Sequence, residues 1–172
     1  MLSRMVAATA ALLLGSGLAS AQGTKPTDPQ IAHIAYTAGQ IDIGAAKLAL
    51  QKSKNKEVRA FAQDMVRDHT AVNKQALALV KKLHVTPEDN PTSKSLSDQA
   101  KGTLASLKKL SGPAFDKAYA DNEVEYHKTV NGALDSTLIP SASNPELKEL
   151  LQTGLKIFQG HQQHAEQVAK SL

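Results

Sequence analysis

The sequence predicts an all-α protein: an antiparallel four-helix bundle with a long crossover connection between its two helical hairpins. Three observations predict it. Four stretches carry apolar residues at spacings of three and four, the period of one helix face. Three of them open on a helix-start signal that includes proline, Asp28-Pro29, Gly112-Pro113 and Asn144-Pro145. The stretch from Val85 to Gly112 is far longer than the loops that join neighbouring antiparallel helices. Composition agrees. Of 172 residues, 41% are hydrophobic and 21% charged, which excludes a disordered chain and a membrane-embedded one. Aromatics are only 3%, too few for a β-barrel or a base-stacking surface. Cysteine is absent, which removes disulfides, thiolate metal sites, thiol catalysis and a lipid-anchor cysteine.

The elements follow in order. Residues 1–21 read as a signal peptide: Arg4, an apolar run from Met5 to Leu18, then Ala19-Ser20-Ala21 as a small-x-small cleavage signal. The run is shorter than the ~20 residues a bilayer requires. Cleavage near Ala21 sends the protein to the periplasm or beyond, as a mature chain with no transmembrane segment. Residues 22–27 are a leader, and residues 28–172 form the bundle domain. Asp28 is read as the first N-cap. Ile31, Ile34, Ala38, Ile41, Ala45 and Leu48 form the first stripe, ending near Lys52. Asn55 caps the second helix, which carries Val58, Ala62, Met65, His69, Val72, Ala76, Leu79 and Leu83.

The crossover holds Pro87, Pro91 and several serines, with one short helix marked by Leu96, Ala100, Leu104 and Leu107. The third helix runs from Gly112-Pro113 through Ala120, Val124, His127, Val130, Leu134 and Leu138. Asn144 caps the fourth, whose stripe is Leu147, Leu150, Gly154, Ile157, His161, His164 and Val168. Four such stripes leave water only against one another, and the long connection makes the arrangement ferritin-like.

His69, His127 and His161 fall on the apolar stripes of three different helices. Each lies 14 to 16 residues past its helix start, a rise of about 21–24 Å. A core imidazole without a partner costs roughly 1–3 kcal/mol, so these three require one. Glu123 is four residues before His127 and shares its face. Counting places Gln40 of the first helix, Asp68 and His164 near the same height. Two readings stand. The preferred one is a polar core layer of Gln40, Asp68, His164 and the three histidines that fixes helix register. The other is a metal site of His69, His127, His161 and Glu123, for which zinc, iron, manganese or copper suits the donor types. The sequence argues against a ferroxidase-type centre, because no histidine has an acid three residues before it.

Other chemistries find no support. There is no Gly-x-Ser-x-Gly, no serine read beside a histidine with an acid behind it, and no glycine-rich phosphate loop. The formal charge of +4 is mild, and Lys52, Lys54 and Lys56 or Lys108 and Lys109 are small clusters, so nucleic acid is not an expected partner. His33 and His84 are assigned no role.

Several runs carry a family resemblance. They are Gln40-Ile41-Asp42-Ile43-Gly44 to Leu48-Ala49, Phe61-Ala62-Gln63-Asp64-Met65-Val66-Arg67-Asp68-His69-Thr70, Leu110-Ser111-Gly112 with Phe115-Asp116 and Tyr119, Glu125-Tyr126-His127, and His161 followed by Ala165. Together they resemble a bacterial family of secreted ferritin-like proteins, the domain-of-unknown-function 4142 family, over nearly all of the mature chain. The resemblance implies a ferritin-like bundle in the cell envelope and no settled activity. It also implies histidine at the positions of His69, His127 and His161. Many members have glutamate where this chain has Gln40. The outer-membrane label often given to the family fits poorly here, since there are no alternating strands, no lipobox cysteine and no second apolar segment. The expected role is therefore non-enzymatic, in envelope maintenance or stress tolerance through an envelope or protein partner, with the metal-binding or redox bundle as the alternative.

Overall fold

The computed structural model describes residues 25–172. The expected signal peptide, with cleavage near Ala21, and the first leader residues lie outside the described residues. Six helical segments follow in order: α1 (Asp28–Lys52), α2 (Lys56–Lys82), α3 (Pro91–Lys109), α4 (Gly112–Ala133), α5 (Ile139–Ser141) and α6 (Pro145–Ser171), with a π-helical turn, Leu134–Leu138, joining α4 to α5.

Capping explains where the rods begin. The Asn55 side chain accepts from the N–H groups of Glu57 and Val58 at 2.8 and 3.2 Å, and that of Asn144 from Glu146 and Leu147 at 2.9 and 3.1 Å. Thr27, not Asp28, is the N-cap of α1, and the Gln30 side chain accepts from its N–H. Asp28 stands inside the first turn, where its carboxylate takes the N–H groups of Ser143 and Asn144 at 2.8 and 2.9 Å. The start of α1 is thereby tied to the turn before α6. Asp28→Ala is expected to cost about 1–2 kcal/mol, read as a lower urea midpoint at unchanged slope.

The four long rods close a ring in which every neighbour is antiparallel. α1 and α2 form one hairpin, locked by Arg59 donating to the carbonyls of Leu50 and Ser53. α4 and α6 form the other. α2 meets α6 with Lys82 on Glu146 at one end and Ser171 on Glu57 at the other. Tyr126 of α4 donates to the Ala38 carbonyl of α1 at 3.0 Å. This is the expected ferritin-like crossover. The crossover helix is longer than expected, though: α3 has 19 residues and runs parallel to α1 along its outside.

Three contacts hold α3 there. Glu88 N–H donates to the Pro29 carbonyl, Lys52 to the Lys108 carbonyl, and His33 Nδ1 lies 2.9 Å from Ser93 Oγ. His33 Nε2 is 3.1 Å from Asp89, so a serine, a histidine and an acid do lie in a row, contrary to the sequence reading. Ser93 is buried, and its hydroxyl donates to the Asn90 carbonyl while taking the Asn90 N–H. It is a helix-start fastener and not an exposed nucleophile.

The core divides along the bundle axis. At the end bearing the α1–α2 turn it is built from Val58, Phe61, Met65, Phe115 and Tyr119, all fully buried. At the other end it is built from Ile31, Ile34, Leu134, Leu138, Leu147 and Leu151. Each large side chain withdrawn from water contributes roughly 1.5–3 kcal/mol. Between the two ends lies a polar layer. No described helix is long and apolar enough to cross a membrane.

Candidate metal centre

All four long helices contribute to the layer. His69 of α2, His127 of α4 and His161 of α6 are buried, and their ring centroids lie 5.2–5.9 Å apart. Helical rise brings them to one height, and their places on the apolar stripes turn them to one axis. Glu123, one turn before His127, is 1% exposed. The fourth contributor is Asp42 of α1, 2% exposed, with Oδ2 3.1 Å from His69 Nε2 and 3.7 Å from His127 Nε2.

Asp42 takes the place expected of Gln40, which is exposed on the far side of α1. Residues two apart on a helix point about 200° apart. Counting along the axis fixed the height and left that rotation open. Asp42 follows Ala38 by four and precedes Ala45 by three, so the apolar spacing itself ran through an acid. His164 also falls outside the layer. It is half-exposed, edge-on to Phe61 at 5.2 Å, with Nδ1 3.9 Å from Asp64. Asp68 sits at the rim. Its carboxylate is held by Arg67, and it lies 3.0 Å from His161 Nε2.

Hydrogen bonding aims two of the three rings. His127 Nδ1 donates to the Glu123 carbonyl at 2.9 Å, which leaves the Nε2 lone pair facing Asp42. Asp68 takes His161 Nε2–H, which leaves Nδ1 buried and without a partner. His69 is fixed by packing: Phe158 stacks on it at 4.5 Å and 12°. Neither of its nitrogens makes a hydrogen bond, because Nε2 is near Asp42 but off the bonding direction. Asp42 Oδ1 and Glu123 Oε2 are likewise buried and unpaired.

Burial sets the charge state. Removal from water pushes the His69 imidazolium down to about 4 and lowers His161 as well. Both rings are neutral near pH 7. Burial, and then the neighbouring Asp42, hold the Glu123 carboxyl well above the usual carboxylate range. Two carboxyls facing each other satisfy themselves only by sharing a proton. Among the described residues the ion-pair partners of Asp42 are imidazoles alone, with no lysine or arginine on it.

Such a donor set fits a transition metal. One ligand atom from each of His69, His127 and His161 lies within 4.8 Å of the others, and the same holds for Asp42, Glu123 and His127. Outer partners that fix the ring orientation, as Asp68 and the Glu123 carbonyl do here, recur behind metal-ligating histidines. The two groups share His127 and so surround one position.

A family described as a domain of unknown function, DUF4142, matches residues 15–168. The chain belongs to the DUF4142 family. No curated protein matches its sequence. Two solved structures share the fold of this DUF4142 chain. One, described as CopM in the Cu(II)-bound form, is 18% identical, with a TM-score of 0.65 over 85% of this chain and 98% of that one. The other, a DUF305 fragment from Deinococcus radiodurans, is also 18% identical, with a TM-score of 0.69 over 86% and 99%. At that identity the likeness speaks for fold alone.

Proposed function

We propose that this DUF4142 protein is an exported, non-enzymatic bundle that holds a transition-metal ion in its central layer and serves envelope maintenance or metal-stress tolerance. His69, His127 and His161 are the primary ligands, and Asp42 and Glu123 supply carboxylate oxygen. Asp68 acts behind His161 as an orienting partner. The observation that carries the reading is a buried layer of five side chains in which nitrogen and oxygen atoms from all four rods lack partners. A polar layer serving helix register alone would satisfy those atoms internally.

Copper is the first candidate among copper, zinc, iron and manganese. Imidazole-rich sites favour Cu(II) over the other divalent first-row ions, and the structurally similar CopM is described as binding Cu(II). The ion would supply positive charge to two facing carboxyls and take lone pairs from imidazoles that burial keeps neutral.

The test is elemental analysis of the protein isolated from its own periplasm. Stoichiometric copper or another transition metal is expected. Absence of metal, with no stabilisation on adding copper, zinc, iron or manganese, would end the reading. Asp68→Ala is expected to fold normally and bind the ion about 10–100-fold more weakly, measured by competition with a chromogenic chelator.

A further inference from the structure

The half of the bundle beyond the polar layer is hollow. A cavity of about 660 Å³ runs along the axis from His69, Asp42 and Phe158 toward the start of α1. Protein interiors seldom hold voids larger than a water molecule, whereas sites for organic ligands span about 300–1,000 Å³. The sequence explains the space. Tyr119, Phe61 and Phe115 fill the opposite half, while Ala35, Ala38, Ala76 and Gly154 line this one. The chamber's walls also include leucine, isoleucine and valine from all four long helices, α3 and the π-helical turn, with Thr129 and Thr137 on the α4 side. Along α1 it extends from Gln30 to Asp42, about 18 Å at 1.5 Å per residue. Its mouth is bordered by exposed lining residues, Lys25 and Thr92 near the starts of α1 and α3 and Thr129 and Thr137 on α4 and the π-helical turn.

The floor has a different chemistry. Asn73 is 6% exposed and its Nδ2 has no partner, and Asp42 Oδ1, of a residue that also lines the cavity, is unpaired too. Asn73 reaches the floor because Gly39 lacks a side chain: a Cβ there would stand 2.5 Å from Asn73 Oδ1. One buried donor and one buried acceptor therefore face an apolar chamber. A hydroxyl is donor and acceptor on a single oxygen and answers both. An ionised carboxylate head has no hydrogen to donate and would leave the Asp42 Oδ1 acceptor unpaired.

We propose that this cavity binds a single-chain amphiphile with an uncharged hydroxyl head, the head on Asn73 and Asp42 and the alkyl chain along the axis toward the mouth. The site shares Asp42 with the metal layer, whose Oδ2 lies on the imidazoles of His69 and His127 while Oδ1 is left for the chamber; Asn73 and the aliphatic walls lie outside the ligand set.

Displacement of the neutral fluorophore N-phenyl-1-naphthylamine from the protein as isolated, with and without chelator, tests this. Dodecanol is expected to displace the probe saturably, and dodecanoate about tenfold less well or worse, with the same ranking in both conditions. Ala35→Leu and Ala76→Leu each fill part of the chamber and are expected to lower dodecanol affinity by about tenfold or more while leaving thermal stability equal or higher. Asn73→Leu is expected to abolish the preference for dodecanol over dodecane. The proposal fails if dodecanol does not displace the probe, if both filling variants bind it undiminished, or if dodecanoate binds as well as dodecanol. None of these outcomes bears on metal content, so failure here leaves the metal reading standing.

Discussion

Protein carrying His69→Ala and His127→Ala together is expected to hold no transition metal and to lose the thermal shift that added metal gives the native chain. Together the two changes take a ligand from both donor groups: His127 belongs to each, and His69 to the imidazole group, with its Nε2 the nitrogen nearest Asp42. Without them, His161 and the two carboxyls remain, too few nitrogen donors for an ion such as Cu(II) to prefer the site. The magnitude follows from mass action. Metal at a thousand times its Kd adds about 4 kcal/mol to folding. For a domain of this size each kcal/mol moves Tm by roughly 2–4 °C, so the native chain should gain roughly 8–16 °C and the variant none. Two ring-to-methyl changes in a core also destabilise by leaving cavities. The readout is therefore the metal-induced shift and not the starting Tm, measured by calorimetry with and without copper. A full shift in the double variant would remove these histidines from the site.

The fold was readable because helical periodicity and capping chemistry act locally. Asn55 and Asn144 each cap the helix that follows them, and the apolar stripes placed His69, His127 and His161 inward. Where the reading went astray, the cause lay in rotation and in long-range contact. Gln40 and Asp42 have nearly the same height and differ by about 200° around α1, a difference that only packing of all four rods decides. Asp42 drew no reading of its own from the periodicity, because burying a carboxyl is costly and buried polar groups break sequence rules where function demands it. Asp28 had a capping residue's place in the sequence. Its real partners are the N–H groups of Ser143 and Asn144, far along the chain and visible only once the turn before α6 folds against α1. The length of α3 was hidden by its polar composition. Of its residues only Ser93 and Leu107 are buried, so it has almost no stripe to read.

The metal-free protein is expected to be most stable in mildly acidic solution, and Glu123→Gln to stabilise it above pH 7 while weakening metal binding. Two groups work in opposite directions. His69 takes its proton near 6.5 when unfolded and near 4 when folded. Between those values the unfolded chain binds more protons, so stability falls as pH falls from 6.5 to 4, by roughly 3 kcal/mol over the window. His161, also lowered by burial, adds to the same slope. Glu123 behaves inversely. Its proton leaves near 4.5 when unfolded and at well above that when folded. Above 4.5 the folded chain binds the extra proton, so stability falls as pH rises toward the folded value. The maximum therefore lies between about 4.5 and 6.5, where neither loss is complete. Glutamine keeps the shape and supplies a fixed N–H in place of the titrating proton, which removes the alkaline loss alone. A bound divalent ion displaces that proton and cancels the same cost, so metal-loaded native protein should show no decline between pH 6 and 8. Urea unfolding of both proteins across pH 4–8, with and without metal, separates these outcomes. If metal-free native protein and Glu123→Gln share one profile, the Glu123 carboxyl is not held protonated by burial and Asp42, and the electrostatic case for a cation in this layer falls with it.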